Sequence, residues 1–319
     1  MRTFEKIAVI GAGTMGHGIA ESFAVHGYEV SVYEPVQAVK DKALDKIRKD
    51  LSTLAEFDII EYADVDRAIG RISMGNELRE AVEHADFIIE AVPEDMAIKQ
   101  QLFKDLSEAA KPDAILASNT SSLDLHEMLL HVGESRKPYC LICHWYNPAH
   151  IIPLVELSCF GNMDEAVLSS IEELFRGIGK KTVRVLKNIP GLLANRIQQG
   201  VAREVFSLIE MGAASPGDVE AALKYGPAFR YATTGQLEIA DFGGLDIWCT
   251  VGDNLLPAMN NDLKASSLLR SKVEKNQLGI KSGEGFFKYA GDHAKEAVEE
   301  FHKRLIVQLK TSKMMGEGE

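Results

Sequence analysis

At 319 residues the chain is long enough for two domains with separate cores. Its 46% hydrophobic and 26% charged content is that of a globular protein and excludes collagen, a coiled coil or long disordered tracts. A formal charge of −12 argues against nucleic acid or an anionic membrane as the main partner, and the longest apolar runs, at 7–10 and 87–89, fall far short of a bilayer span.

In chain order, residues 4–13 read as a buried strand that runs into Gly11-Ala-Gly13. It begins at once, which leaves no room for a cleavable leader; with only four cysteines, this predicts a reduced, cytoplasmic protein. A helix follows with Met15, Ile19 and Phe23 on one face, then a strand at 29–34. Pro35 opens a charged helix that carries Leu44, Ile47, Leu51 and Leu54 along one side. Further strands are expected at 87–92, 114–117, 139–144, 152–157 and 182–186, separated mostly by helical patterns. Such alternation predicts an α/β fold with a Rossmann-type, mostly parallel sheet.

Beyond Ile189-Pro190-Gly191 the pattern becomes all-helical. Leu193, Ile197, Val201, Val205 and Leu208 form an amphipathic stripe, and Ser215-Pro216 reads as an N-cap with proline at the first helical position. The expected division is therefore an α/β domain over 1–187 and a helical domain over 188–319. The tail from Lys313 is expected to fray.

Gly11-Ala-Gly13-Thr14-Met15-Gly16 matches G-x-G-x-x-G between a predicted strand and a predicted helix, the context in which the motif binds a dinucleotide. Gly11 permits the tight turn, Gly13 lets backbone approach a pyrophosphate, and Gly16 lets helix pack on strand. The helix N-terminus offers N–H donors to the phosphates. Glu34 ends the next strand, where a carboxylate holds ribose hydroxyls and repels a 2′-phosphate. Pro35-Val36-Gln37 supplies no arginine to receive one, so NAD is preferred over NADP. FAD shares the fingerprint, but a histidine suited to base catalysis lies downstream and favours nicotinamide chemistry.

Two segments are unusually polar for strand ends: Ala117-Ser-Asn-Thr-Ser-Ser122 and His144-Trp-Tyr-Asn147-Pro148, the latter followed by Ile152-Pro-Leu-Val-Glu156. Oxidising an alcohol needs a base for the hydroxyl proton, and the ordinary pKa of a histidine suits His144 to that task. Glu156 can fix its tautomer, and Ser121 and Asn195 can donate hydrogen bonds to a substrate oxygen. Taken alone, one His–Glu pair is more often structural than catalytic. Cys140-Leu-Ile-Cys143-His144 spells a haem-attachment motif, but it sits in an apolar strand. Zinc would need a second close ligand pair that Cys159 and Cys249 do not form, so no metal site is expected.

The runs GAGTMGHGIA, AVPE, ASNTSSL, HWYNPAHIIPLVEL, IPGLLANRI and GIKSGEGFFKY occur in order over about residues 5–290 and together resemble the 3-hydroxyacyl-CoA dehydrogenase family. The resemblance implies that His144 is the catalytic histidine and Glu156 its orienting acid. It also implies that Ser121 and Asn195 are polar groups near the reacting carbonyl, with Asn147 in the same substrate signature. Cofactor contacts are implied at Gly11, Gly13, Thr14, Met15, Gly16, Glu34, Ala91, Val92, Glu94, Lys99 and Asn119. The implied reaction is NAD-linked oxidation of an L-3-hydroxyacyl-CoA to the 3-keto form, with a place in fatty acid metabolism and a homodimer built through the C-terminal domain.

Some features depart from that pattern. Ile152-Pro153-Leu-Val-Glu156 stands where acyl-CoA members usually have a Met-Lys-Leu-Val-Glu type of run. The proline form resembles relatives acting on small substrates without CoA, including L-gulonate and carnitine dehydrogenases. HWxNPxHIIP resembles a pyridine-aldehyde dehydrogenase branch. Lys40, Lys42, Lys46, Arg48 and Lys49 can serve an anionic nucleotide, whereas Glu56, Asp58, Glu61, Asp64 and Asp66 oppose it. GIKSGEGFFKY, in contrast, is closer to the acyl-CoA branch. A non-catalytic NAD-binding role, as in lens crystallins related to this family, is opposed by the presence of His144, Glu156 and Asn195.

Overall fold

The structure, a computed structural model, describes residues 2–289, 291 and 293–316. These divide into two compact units, Met1–Leu193 and Ala194–Glu319. In the first, β1 (Lys6–Ile10) leads into α1 (Gly16–Val25), then β2 (Glu29–Tyr33), α2 (Gln37–Glu56), α3 (Tyr62–Gly70) and β3 (Ile72–Gly75). Next come α4 (Leu78–Val82), β4 (Phe87–Glu90), α5 (Met96–Ala109), β5 (Ile115–Ser118) and α6 (Leu125–Met128). The unit ends with β6 (Cys140–Trp145), β7 (Leu154–Ser158), α7 (Glu165–Gly177) and β8 (Lys181–Arg184).

The eight strands form one sheet in the order β3-β2-β1-β4-β5-β6-β7-β8. All neighbours are parallel except β6 and β7, so the expected mostly parallel Rossmann-type sheet is present. The chain winds outward from β1 in one direction and then resumes at β4 on its other side. The carboxyl ends of β1 and β4 therefore flank the switch point, where doubly wound sheets bind ligands.

Buried strands with apolar residues on both faces require cover on both sides of the sheet. Along β4, Ile88 joins a core with Ala8, Ile10, Phe103 and Leu116, while Phe87 faces the other layer. There Phe23, Phe87, Trp145 and Phe175 contact edge-to-face or tilted, with ring centroids 5.5–6.2 Å apart. Aromatic pairs prefer such geometries because the positive ring edge meets a negative face. The α3 helix and the β3 strand were not apparent from periodicity. The strand is only four residues long, ends in glycine and pairs with β2 alone, so it shows little alternation.

The second unit contains α8 (Ala194–Glu210), α9 (Pro216–Tyr225), α10 (Pro227–Tyr231), α11 (Gln236–Gly243), α12 (Leu245–Leu255), α13 (Ser267–Glu274) and α14 (His293–Gly316). Ser215 caps α9 as expected, its side chain accepting from Asp218 N, with Pro216 in the first turn. Within this unit the rings of Phe206 and Phe286 stack at 5.7 Å, and Lys272 Nζ lies 4.9 Å from the Phe286 ring centroid. Of the tail expected to fray, 317–319 lie outside the described residues and 313–316 end α14.

Candidate active site

The loop after β1 is shaped by contacts that admit no side chain. Gly11 has φ +96°, and a Cβ there would lie 2.8 Å from the Ala91 carbonyl oxygen; at Gly16 it would lie 1.8 Å from that of Gly11. Over Gly13, in contrast, a Cβ would meet nothing within 4 Å, so the loop faces open space. Glu34, just past β2, accepts from Ala12 N through Oε2 at 2.8 Å and from Val36 N through Oε1 at 2.9 Å. This places a carboxylate beside the glycine loop. The bare loop, the start of α1 and this acid fit a dinucleotide with free ribose hydroxyls.

Past the end of β4, Ala91 N donates to Ile10 O and Val92 N to Glu90 Oε2, bringing Ala91 and Val92 against the glycine loop. Glu90 and Lys99 are both buried, and Lys99 Nζ reaches Glu90 Oε1 at 2.6 Å and Glu94 Oε2 at 3.2 Å. Ser118 Oγ donates to the same Glu90 oxygen. Glu94 in turn accepts from Thr120 Oγ1, Ser121 N and Ser122 Oγ at 2.7–3.1 Å, with Ser121 Oγ 3.5 Å away. Partial burial would raise the Glu94 carboxyl, but the hydroxyls and Lys99 hold it below its usual value. Sequence reasoning singled out Glu94, Lys99 and Ser121 separately; the structure joins them in one network. It did not identify Glu90, because a lone acid ending an apolar strand carries no distinguishing pattern, and it noted Ser118 only as part of the polar segment 117–122.

On the other side of β5, the antiparallel register of β6 and β7 pairs His144 directly with Glu156. Twelve residues apart in sequence, they become cross-strand neighbours, with His144 Nδ1 2.8 Å from Glu156 Oε2. Glu156 is fully buried and His144 is 7% exposed. The second carboxylate oxygen, Oε1, accepts from Leu193 N at 2.8 Å. Asn119, after β5, accepts from Trp145 N through its side chain at 2.8 Å, tying the Ser118–Ser122 segment to the end of β6.

The segment linking β6 to β7 begins with Tyr146, whose ring meets that of His144 edge-on at 5.7 Å, and contains a cis Asn147–Pro148 peptide. Asn147 is exposed. Lys180 is buried beneath this segment, donating to Ala149 O at 2.6 Å and Ile152 O at 2.8 Å while lying 4.9 Å from the Trp145 ring centroid. A lysine reads as a surface residue in sequence, so this clamp was not anticipated. Asn195 begins α8 in the second unit and is half-buried.

Cys140 and Cys143 are buried free thiols within β6. Burial pushes Cys140 up to about 12 and Cys143 up as well, so both remain protonated and poor metal ligands. No helix among the described residues is long and apolar enough to cross a membrane.

Residues 6–189 match the NAD binding domain of 3-hydroxyacyl-CoA dehydrogenase, and residues 191–289 match its C-terminal domain. The chain is 31% identical over 302 residues to a 5-formyl-3-hydroxy-2-methylpyridine 4-carboxylate 5-dehydrogenase of Mesorhizobium japonicum, covering 94% of this chain and 96% of that one. It is 34% identical over 287 residues to a probable 3-hydroxybutyryl-CoA dehydrogenase of Bacillus subtilis, covering 89% and 97%. Among solved structures, an enzyme of the same pyridine activity, described as an NAD+ dependent dismutase, superposes with a TM-score of 0.88 at 29% identity, over 98% of this chain and 99% of that one. The (S)-3-hydroxybutyryl-CoA dehydrogenase of Ralstonia eutropha gives 0.73 at 28%, over 91% and 100%. The chain thus belongs to the 3-hydroxyacyl-CoA dehydrogenase family and is an NAD-dependent oxidoreductase acting on CH–OH groups.

Proposed function

We propose that this enzyme oxidises a small hydroxy acid or aldehyde that carries no CoA, with His144 as general base and Glu156 as the group that orients it. The observation that carries the chemistry is the buried 2.8 Å contact between His144 Nδ1 and Glu156 Oε2. A carboxylate accepts only, so Nδ1 bears the proton, and in the neutral ring Nε2 then has the lone pair. Nε2 then takes the proton of the substrate hydroxyl, or of an aldehyde hydrate. Glu156 stabilises the imidazolium that results and is itself held by Leu193 N. Bound NAD+ supplies the two-electron acceptor that takes hydride from the substrate carbon. Gly11, Gly13, Thr14, Met15 and Gly16 would seat its pyrophosphate and Glu34 its ribose. Ala91, Val92, Glu94, Lys99 and Asn119 would line its nicotinamide side, and Ser121, Asn147 and Asn195 would bind substrate.

The preference for a substrate without CoA rests on charge. Between residues 37 and 70, the helical segment in which a basic patch could meet a nucleotide, six Lys and Arg stand against eight Asp and Glu, a formal −2. Both arginines of that segment face carboxylates: Arg48 lies 2.6 Å from Asp66, and Arg67 meets Asp64 and Glu61. Little positive potential remains for the phosphates of CoA. Pro153 and the similarity to the pyridine dehydrogenase point the same way. The competing reading, an L-3-hydroxyacyl-CoA substrate and a place in fatty acid metabolism, is favoured by the family match and by relatives such as the B. subtilis protein. A panel of L-3-hydroxybutyryl-CoA, L-gulonate, carnitine and a carboxylated pyridine aldehyde, assayed by NADH formation, separates the two. The best CoA-free compound should exceed the thioester at least tenfold in kcat/KM; the reverse order sinks the CoA-free reading.

We also propose a cytoplasmic homodimer formed through the second unit. Phe229, Leu237, Phe242, Leu245 and Leu256 are each at least 60% exposed there, a concentration of apolar surface that a monomer would leave in water. Light scattering should give twice the chain mass, and Phe242→Glu combined with Leu245→Glu should shift it to monomer. A wild-type mass of one chain at micromolar concentration would exclude the dimer.

A further inference from the structure

His17 stands in the first turn of α1 and is no part of the glycine fingerprint, yet both of its ring nitrogens face acceptors. Nδ1 bonds the carbonyl oxygen of Gly13, inside the dinucleotide loop, and Nε2 lies 3.3 Å from Asp50 Oδ2 on α2. A carbonyl and a carboxylate only accept, so both contacts are satisfied together only when each nitrogen carries a proton, as in an imidazolium. The pair is largely buried, the side chains being 13% and 18% exposed. Glu21, one turn further along α1 and fully buried, also faces His17 and lies 3.0 Å from His150 Nδ1.

We propose that His17 is a cofactor-positioning residue, which as an imidazolium locks the Gly13–Thr14 peptide and adds positive charge beneath the site of the dinucleotide phosphates. In a trans peptide the carbonyl and the following N–H point in opposite directions. With the Gly13 oxygen drawn toward the His17 ring and also accepting from His17 N at 3.5 Å, the Thr14 N–H faces outward from the start of α1. That is the direction from which a helix N-terminus receives an anion. Asp50 completes the device by tying α2 to the loop through the same ring.

The electrostatics agree with the geometry. Burial by itself would lower His17, but the contacts with Asp50 and Gly13 and the nearby acids outweigh it and hold the imidazole above its ordinary value. Burial pushes the Glu21 carboxyl well above the usual carboxylate range, which leaves Asp50 as the anion that His17 answers. The charge on His17 is present at low pH and is lost as pH rises through its raised pKa, so affinity for phosphates falls in the same direction.

The test is calorimetric binding of NAD+, ADP and adenosine to the whole protein between pH 6 and 9, with His17→Gln and Asp50→Asn. His17→Gln should weaken NAD+ and ADP about tenfold at pH 6 and flatten their pH dependence, while adenosine, which has no phosphate, changes less than twofold. In turnover the loss should fall on KM for NAD+, with kcat at saturating NAD+ within about twofold. Asp50→Asn should move the pH at which ADP affinity falls to a lower value. Unchanged ADP affinity in His17→Gln, an equal loss for adenosine, or an unshifted profile in Asp50→Asn would each overturn the proposal.

Discussion

Replacing His144 with alanine should lower kcat about 10²–10⁴-fold, the range expected when a general base is removed, while NAD+ affinity changes little. The geometry separates the two effects: His144 belongs to the β6–β7 pair, whereas the glycine loop and Glu34 follow β1 and β2. Glu156→Gln tests the partner. An amide presenting its oxygen to Nδ1 still fixes the tautomer but no longer carries the charge that stabilises the imidazolium, so kcat should fall. Because the two act as one unit, the double variant should be scarcely slower than His144→Ala alone. Steady-state assays with the best substrate of the panel check all three. Losses that multiply in the double variant, or a full rate in His144→Ala, would remove His144 from the chemistry.

The second large effect concerns stability. Lys99→Met leaves the Glu90 carboxylate in the core with its cation gone, and truncating one partner of a buried ion pair costs about 3–5 kcal/mol. For a unit of this size that corresponds to a fall in Tm of roughly 6–20 °C. Adding Glu90→Gln should recover much of the loss, since the amide can still accept from Ser118 and carries no charge to desolvate. Thermal melts of the two single variants and the double variant decide it. A Lys99→Met melt within a degree or two of wild type would mean that water or another cation reaches Glu90. The same substitution frees Glu94 from its lysine, so NAD+ affinity should weaken in parallel if Glu94 lines the cofactor site.

Local features were the most legible in sequence. β1, the glycine loop and α1 could be read directly because each is governed by neighbours: apolar runs, glycine conformations and helical spacing over a few residues. Ser215-Pro216 was readable for the same reason, a cap being a contact between residues three apart. The His144–Glu156 pairing depended on a motif resemblance, because nothing in twelve residues of spacing says that β7 turns back antiparallel and in register. Buried Glu90, Glu21 and Lys180 gave no signal, since sequence shows a charge but not whether it will be covered.

By itself, then, the sequence determined an NAD-linked Rossmann protein with a helical second half, because glycine spacing, strand and helix periodicity and the acid after β2 are encoded within short stretches. Only the tertiary structure decided which polar residues work together. It drew Lys99 onto Glu90 and Glu94, His144 onto Glu156, and His17 onto both Gly13 and Asp50. The physical reason is burial: the sheet takes these groups out of water, and a desolvated charge or polar group must find its partner across strands and helices.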